Sequence, residues 1–264
     1  QWLITVLVVW LDSYRAAGNL SLAMTTSSSF SAISLFSMRN YQVSDVMGEY
    51  TSGQYVSSRV LTCVAAVVSC IAVSMLGNNS QYEVLCIAAF MVVRAAEAVV
   101  DVLHGVNQKY MRYDLIGKSY IIRGILTIGS FSLGLLAFQD LMATLFIVAG
   151  LNFLAAACFA WMKTSRLEKF QINLMDKKLG KLLKTCAPIV AFSFLLSLEN
   201  LIPKISLKQW YGEEQLGIYS SIASPTLVVQ VFASVAFNPF LPAFSLAYQQ
   251  GEWKKFRGMF HKAL

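Results

Sequence analysis

Apolar residues along this chain fall into long runs separated by short polar stretches, and a window near twenty residues resolves eight of them. The first is partial, over 1–11. The others run approximately over 20–38, 56–76, 84–103, 119–138, 141–162, 186–207 and 217–248. The runs are continuous rather than alternating, which predicts helices and excludes a transmembrane barrel of short alternating strands. The last run is longer than one crossing needs, and Pro225, Pro239 and Pro242 are placed to break or cap it. In the seventh, Pro203 removes a helical hydrogen bond that would reach the Glu199 carbonyl, so a kink is expected there.

Composition fixes the environment of these helices. Of the 264 residues, 56% are hydrophobic and only 13% are charged, with a mean hydropathy of +0.58. Soluble domains carry about 25% charged residues. The expected fold class is therefore an all-α polytopic membrane protein. The chain begins at Gln1 inside an apolar run and stops at Leu264 after an amphipathic stretch, so it is expected to be part of a longer protein, its first helix truncated.

A net charge of +7 would suggest nucleic acid in a soluble protein, but here the basic residues lie between apolar runs. Seventeen of the 21 Lys and Arg belong to one set of loops: Arg39 and Arg59, Lys109 to Arg123, Lys163 to Lys184, and Lys254 to Lys262. The opposite loops, over 77–82 and 139–140, hold none. That asymmetry is the positive-inside pattern, which makes the first set cytoplasmic.

The longest connection, over 164–184, places Leu167, Phe170, Leu174, Met175, Leu182 and Leu183 beside four lysines. It reads as an amphipathic helix lying on anionic lipid and joining two lobes, or else as a solvated basic loop. The chain then divides into a first lobe over 1–163, this linker, and the start of a second lobe over 185–264. A weak internal repeat agrees. An offset of 199 residues lays Gly18 on Gly217 and Ser21 on Ser220, and the end of the second run on that of the eighth.

The chemistry concentrates in the fourth run. Arg94, Glu97, Asp101 and His104 are spaced by three, four and three residues, which puts them on one side of a helix. An ionisable residue at membrane depth costs about 2.5–3.5 kcal/mol on insertion scales, so the strip must face protein or water. Arg94 can pair with Glu97, whereas Asp101 has only His104 as a same-helix candidate. The strip is either a hydrated cavity where Arg94 meets an anion and a carboxylate couples an ion, or an ion-pair network that locks helices together. The second run, half Ser and Thr, is either a wet cavity-facing helix or a tightly packed small-residue one. Glu199, Asn200 and Lys204 surround Pro203; Lys204 either lines a cavity with Asn200 or reaches the outer interface.

Enzymatic signals are poor. His104 and His261 are the only histidines, and no Walker, GxGxxG or HExxH pattern is present. The five cysteines lie within apolar runs without metal-binding spacing. The segment DLIGKS over 114–119 lacks the first glycine of a phosphate loop. No enzyme activity and no cofactor is expected.

Several segments carry a family likeness: RNYQVSD over 39–45, GEYTSGQYVSSR over 48–59, DVLHGVNQKYMRYDLIGKS over 101–119, LGIYSSIASPTLVVQ over 216–230 and FNPFLPAF over 237–244. With these the chain resembles the oligosaccharide and polysaccharide flippases of the multidrug/oligosaccharidyl-lipid/polysaccharide exporter superfamily. The resemblance implies a MATE-like bundle of two six-helix lobes around a central cavity, of which this chain holds about eight helices. It implies alternating-access export of an undecaprenyl-pyrophosphate-linked glycan, such as an O-antigen or capsule repeat unit, across the bacterial inner membrane. Arg94, Lys204 and Arg39 would then meet the phosphates, and the hydroxyl-rich second run with Asn152 the sugars. A coupling ion, H+ or Na+, stays open, as does contact with other polysaccharide assembly proteins. The rival expectations are a cation-coupled multidrug exporter of the same architecture and a membrane-embedded glycan-processing enzyme.

Overall fold

The fold follows from where the chain can start and stop helices. The computed structural model describes residues 2–45, 48–168 and 170–237, and those residues form helices and connections without a strand. Pro239, Pro242, most of FNPFLPAF and the basic residues over 254–262 lie outside the described residues.

Helix α1 spans Trp2–Leu11, and α2 spans Tyr14–Leu35. Ser13, in extended conformation, accepts a bond from the Ala16 amide and so opens α2. Phe36 and Ser37 both take left-handed conformations (φ 48°), which end α2 and turn the chain into the short α3, Met38–Ser44. Capping boxes start the next two long helices: Thr51 with Gln54 for α4 (Ser52–Leu76), and Ser80 with Glu83 for α5 (Gln81–Lys109). Helix α6 covers Tyr113–Phe138. Asp140 then accepts from the amides of Met142 and Ala143 to open α7 (Leu141–Thr164), which passes through a π-helical turn at Ala156–Trp161.

The remaining element, α8 (Lys177–Phe237), leaves helical geometry at one point, Gly212 (φ 84°, ψ 178°). Only glycine adopts that combination without strain. The backbone keeps helical dihedrals at Pro203, and the departure from helix falls nine residues later, at Gly212. The predicted seventh run lies before it, and the described part of the eighth, 217–237, lies after it.

The basic connection also differs from its expectation. Residues 165–168 and 170–176 form turns rather than an interfacial helix. Asn173 and Asp176 accept from the amides of Met175 and Lys178, local bonds that compete with helix. The segment is tied along α4 by the Asn173 amide on Ser57 (3.0 Å) and by Gln54 on Asp176 (2.6 Å). Helix resumes directly after Asp176, with Leu182 and Cys186 buried in a cluster with Met38, Tyr55 and Ala160.

Helices α2 and α5 lie at the centre. A larger core joins Leu20, Ala23 and Phe30 of α2 to Ile87, Phe90 and Met91 of α5, with Phe131 of α6, Leu145 and Val148 of α7, and Leu216 of α8. Around them α4, α6, α7 and the stretch Lys177–Thr226 of α8 are each long and apolar enough to cross a membrane. These four are fewer than the eight runs because α1 is short, α2 and α5 trade apolar residues for hydroxyls and charges, and the described parts of the last two runs belong to one element, α8. The outward faces suit lipid: Ile121, Ile125, Leu133 and Leu136 on α6 are all exposed.

Candidate functional site

Four arginines from four helices converge on two carboxylates of α5. Asp101 accepts from Arg39 of α3 (3.4 Å) and from Arg59 of α4 (3.0 Å). One helical turn earlier, Glu97 takes Arg94 of its own helix (2.6 Å) and Arg123 of α6 (3.3 Å). Four guanidiniums against two carboxylates leave a formal excess of two positive charges.

Three of the four arginines are also anchored elsewhere. The Arg59 side chain is fully buried and donates to the Ser34 carbonyl (2.6 Å), which Thr62 also bonds (3.0 Å). Ser34 belongs to the last turn of α2, where the helix dipole is negative and favours a cation. Arg94 donates to Ser28 of α2 (2.8 Å) and lies over the Phe90 ring (5.3 Å). Arg39 reaches Gln108 (3.1 Å). Helices α2 to α6 are therefore joined through one polar cluster.

Two cavities flank it. The first, about 440 Å³, lies among α1, α5, α6 and α7 and is lined by Arg94, Glu97, Asp101, Tyr120 and Arg123 with apolar walls. The second, about 500 Å³, opens between α2, α3, α5 and α8. Its lining is polar: Ser28, Ser31, Ser37, Arg39, Asn40, Asp101, Gln108, Ser193 and Ser197. Asp101 lines both. His104 touches the first cavity and stacks edge-on against Tyr120 (5.0 Å), and neither of its ring nitrogens has a hydrogen-bond partner. No group of His, Cys, Asp and Glu suited to a metal ion occurs among the described residues.

The structure thus brings Arg94, Glu97, Asp101 and Arg39 of the expected set together. Asp101, for which only His104 was in view as a partner, takes arginines from two other helices instead. The remaining expected residues lie elsewhere. Asn152 is fully buried and bonds Thr127 (3.0 Å) and the Val148 carbonyl, tying α7 to α6 rather than facing a cavity. Glu199 and Asn200 are on the exposed face of α8 and line neither cavity. Lys204 donates to Ser21 (3.1 Å) and Thr25 (2.8 Å) of α2, a helix-to-helix bond rather than a cavity contact or an outward reach.

Arg59 and Arg123 were counted with the cytoplasmic loops and belong to the site. The signal was available: both fall inside predicted apolar runs, at 56–76 and 119–138. A charge inside such a run demands a partner, and the carboxylates of α5 were the candidates.

Outside the bundle, the Asp45 carboxylate organises the entry to α4. It accepts from the amides of Glu49 (2.9 Å) and Tyr50 (3.0 Å) and from the Tyr55 hydroxyl (2.9 Å). Burial pushes its pKa upward, but these three donors outweigh it and leave the group below its ordinary value of 3.8.

With that geometry in place, one comparison bears on the chain. It is 27% identical, over 266 aligned residues, to "Capsular polysaccharide biosynthesis protein CapF" of Staphylococcus aureus. The alignment covers 99% of this chain and 66% of that relative, so the chain spans about two thirds of the relative's length. No family model matches the chain, and no solved structure gives a significant match.

Proposed function

We propose that this chain serves polysaccharide biosynthesis as the greater part of a membrane transporter that exports a lipid-linked anionic glycan. One observation carries the reading: a cluster of four arginines and two carboxylates sits inside an apolar bundle and opens on a hydroxyl- and amide-lined cavity. A formal excess of two positive charges at such depth is costly unless an anion enters. A pyrophosphate offers two negative charges and paired oxygens that the planar fork of a guanidinium engages bidentately. The serines, Asn40 and Gln108 supply the donors and acceptors that sugar hydroxyls need. The similarity to a capsular polysaccharide biosynthesis protein points to the same substrate class.

In this reading the chain contributes the first lobe and the start of the second in a polysaccharide flippase of the bacterial cytoplasmic membrane. It works by alternating access, without a covalent step. The polyprenyl tail stays in lipid while the head group crosses through the cavity between α2 and α8. Both carboxylates are held by two arginines each, which suits a role in positioning the cations. A drug-cation exporter of similar architecture would need an acidic cavity, the opposite of the charge found.

The test uses the full-length protein in nanodiscs with a synthetic polyprenyl-pyrophosphate oligosaccharide. Arg39→Ala should weaken binding by about ten- to hundredfold, the loss of a charge-assisted bond worth about 1.5–3 kcal/mol. Equal binding by both proteins would overturn the assignment of that cavity to the anionic substrate.

A further inference from the structure

The offset of 199 residues reappears in space as a reciprocal contact between α2 and the second segment of α8. A Cβ placed on Gly18 would collide with the Glu213 carbonyl and approach the Gly217 nitrogen. A Cβ on Gly217 would collide with the Tyr14 carbonyl and approach the Gly18 nitrogen. Glu213 stands 199 residues after Tyr14, as Gly217 does after Gly18, so each contact is the image of the other. Ser220 donates to Ser21 (2.7 Å), again partners at the same offset. A local two-fold axis therefore passes between the two glycines and between the two serines, the arrangement of an isologous interface. Only glycine permits backbones to approach this closely.

Around this crossing the links are polar and gathered at one end. Arg15 bonds Glu213 (2.7 Å), and Lys208 pairs with Glu83 (2.5 Å) and bonds Asn79 (2.9 Å). Lys204 bonds Ser21 and Thr25. Glu83 and Asn79 belong to the connection over 77–83, on the side whose loops carry almost no Lys or Arg, the external side. Toward the other side, beyond the bond from Ser29 to the Ser197 carbonyl (3.4 Å), the helices part around the cavity lined by Ser28, Ser31, Ser193 and Ser197.

We infer that the Gly18–Gly217 crossing is the external gate of the transporter, held shut here by the Lys208–Glu83 and Arg15–Glu213 pairs, and that the two halves separate along it. The inference rests on the transporter reading above. Its physical basis is what this interface is made of. Parting an apolar helix pair forfeits about 25 cal/mol for each Å² wetted. Hydroxyls, carbonyls and the more exposed Arg15–Glu213 pair exchange their partners for water with a small net change, and the buried Lys208–Glu83 pair regains on opening the hydration that its burial cost. Leu216 and the edge-on Phe30–Phe194 pair (5.5 Å) add apolar area to the same helix pair, but at the crossing itself backbone meets backbone and the cross-links are polar, so this end can open and close again.

Accessibility tests this directly. In right-side-out membrane vesicles containing the full-length protein, Ser21→Cys should react slowly with a membrane-impermeant maleimide, the parent protein giving the background. Adding Lys208→Met, which removes the buried pair, or Gly217→Ala, which forces the backbones apart, should raise that rate at least fivefold. Oxidising a Ser21→Cys, Ser220→Cys pair should halt glycan export, and reductant should restore it. Labelling that stays at background in every variant, or normal export by the oxidised pair, would overturn the gate. Should the unmodified protein move no glycan, the substrate reading falls, whereas the maleimide rates still decide whether this end opens.

Discussion

Asp101 is the residue on which the cluster turns, because its two oxygens hold arginines from α3 and α4, and Arg59 has no exposure at all. Removing one partner of a buried pair typically costs about 3–5 kcal/mol, since the other charge stays behind unpaired. Asp101→Asn should therefore lower the stability of the purified protein by that order, read as a loss of thermal midpoint in detergent. An unchanged midpoint would show that Arg59 finds another partner. Asp45 gives a residue-scale prediction with a pH dependence. Its folded pKa is depressed, so its contribution is present above 3.8, the unfolded value, and is lost as pH falls through the lower folded value. Asp45→Ala should speed hydrogen exchange at the Glu49 and Tyr50 amides at neutral pH, with the difference from the parent vanishing in strong acid.

Among the elements, α6 and α7 show how polar residues join helices whose outer faces meet lipid. Thr127 and Asn152 bond each other across the pair, and a Cβ added at Gly134 would crowd the Thr144 side chain (3.0 Å). Such interhelical bonds contribute about 0.6 kcal/mol on average in membranes. A double-mutant cycle on Thr127→Val and Asn152→Ala should return a coupling of that size, and export should persist in both single variants. Substantial loss of export would return Asn152 to the substrate path, where the family resemblance first placed it. The sequence could not separate the two roles, because a buried amide satisfies a neighbour or a ligand with the same chemistry. Helix starts lie upstream of the apolar runs at 56–76 and 84–103, because the capping boxes Thr51/Gln54 and Ser80/Glu83 set them and hydropathy does not register caps. The break at Gly212 was hidden behind Pro203, whose helical geometry is kept by its surroundings. The basic connection misled in the opposite sense: its apolar spacing suited a helix, but Asn173 and Asp176 drew the local backbone into turns.

At the scale of the whole molecule, the strip from Arg94 to His104 announced buried charge, and the structure sets its sign. Spacing along one helix could show Arg94 beside Glu97. It could not show that Arg39, Arg59 and Arg123 arrive from α3, α4 and α6 to turn a strip of two carboxylates and one arginine into a cationic cluster. Likewise the offset of 199 residues rested on a few identities until Gly18 met Gly217 and Ser21 met Ser220. The central claim is that this excess of positive charge receives an anionic head group. The most direct measurement is the amount of glycan reaching the outer face of cells whose only copy of the full-length protein carries Arg94→Ala. Glu97 retains Arg123 in that variant, so the protein should fold and reach the membrane in normal amount. Outer-face glycan should fall to a tenth or less of the parent level, whereas parental export by Arg94→Ala would contradict the account.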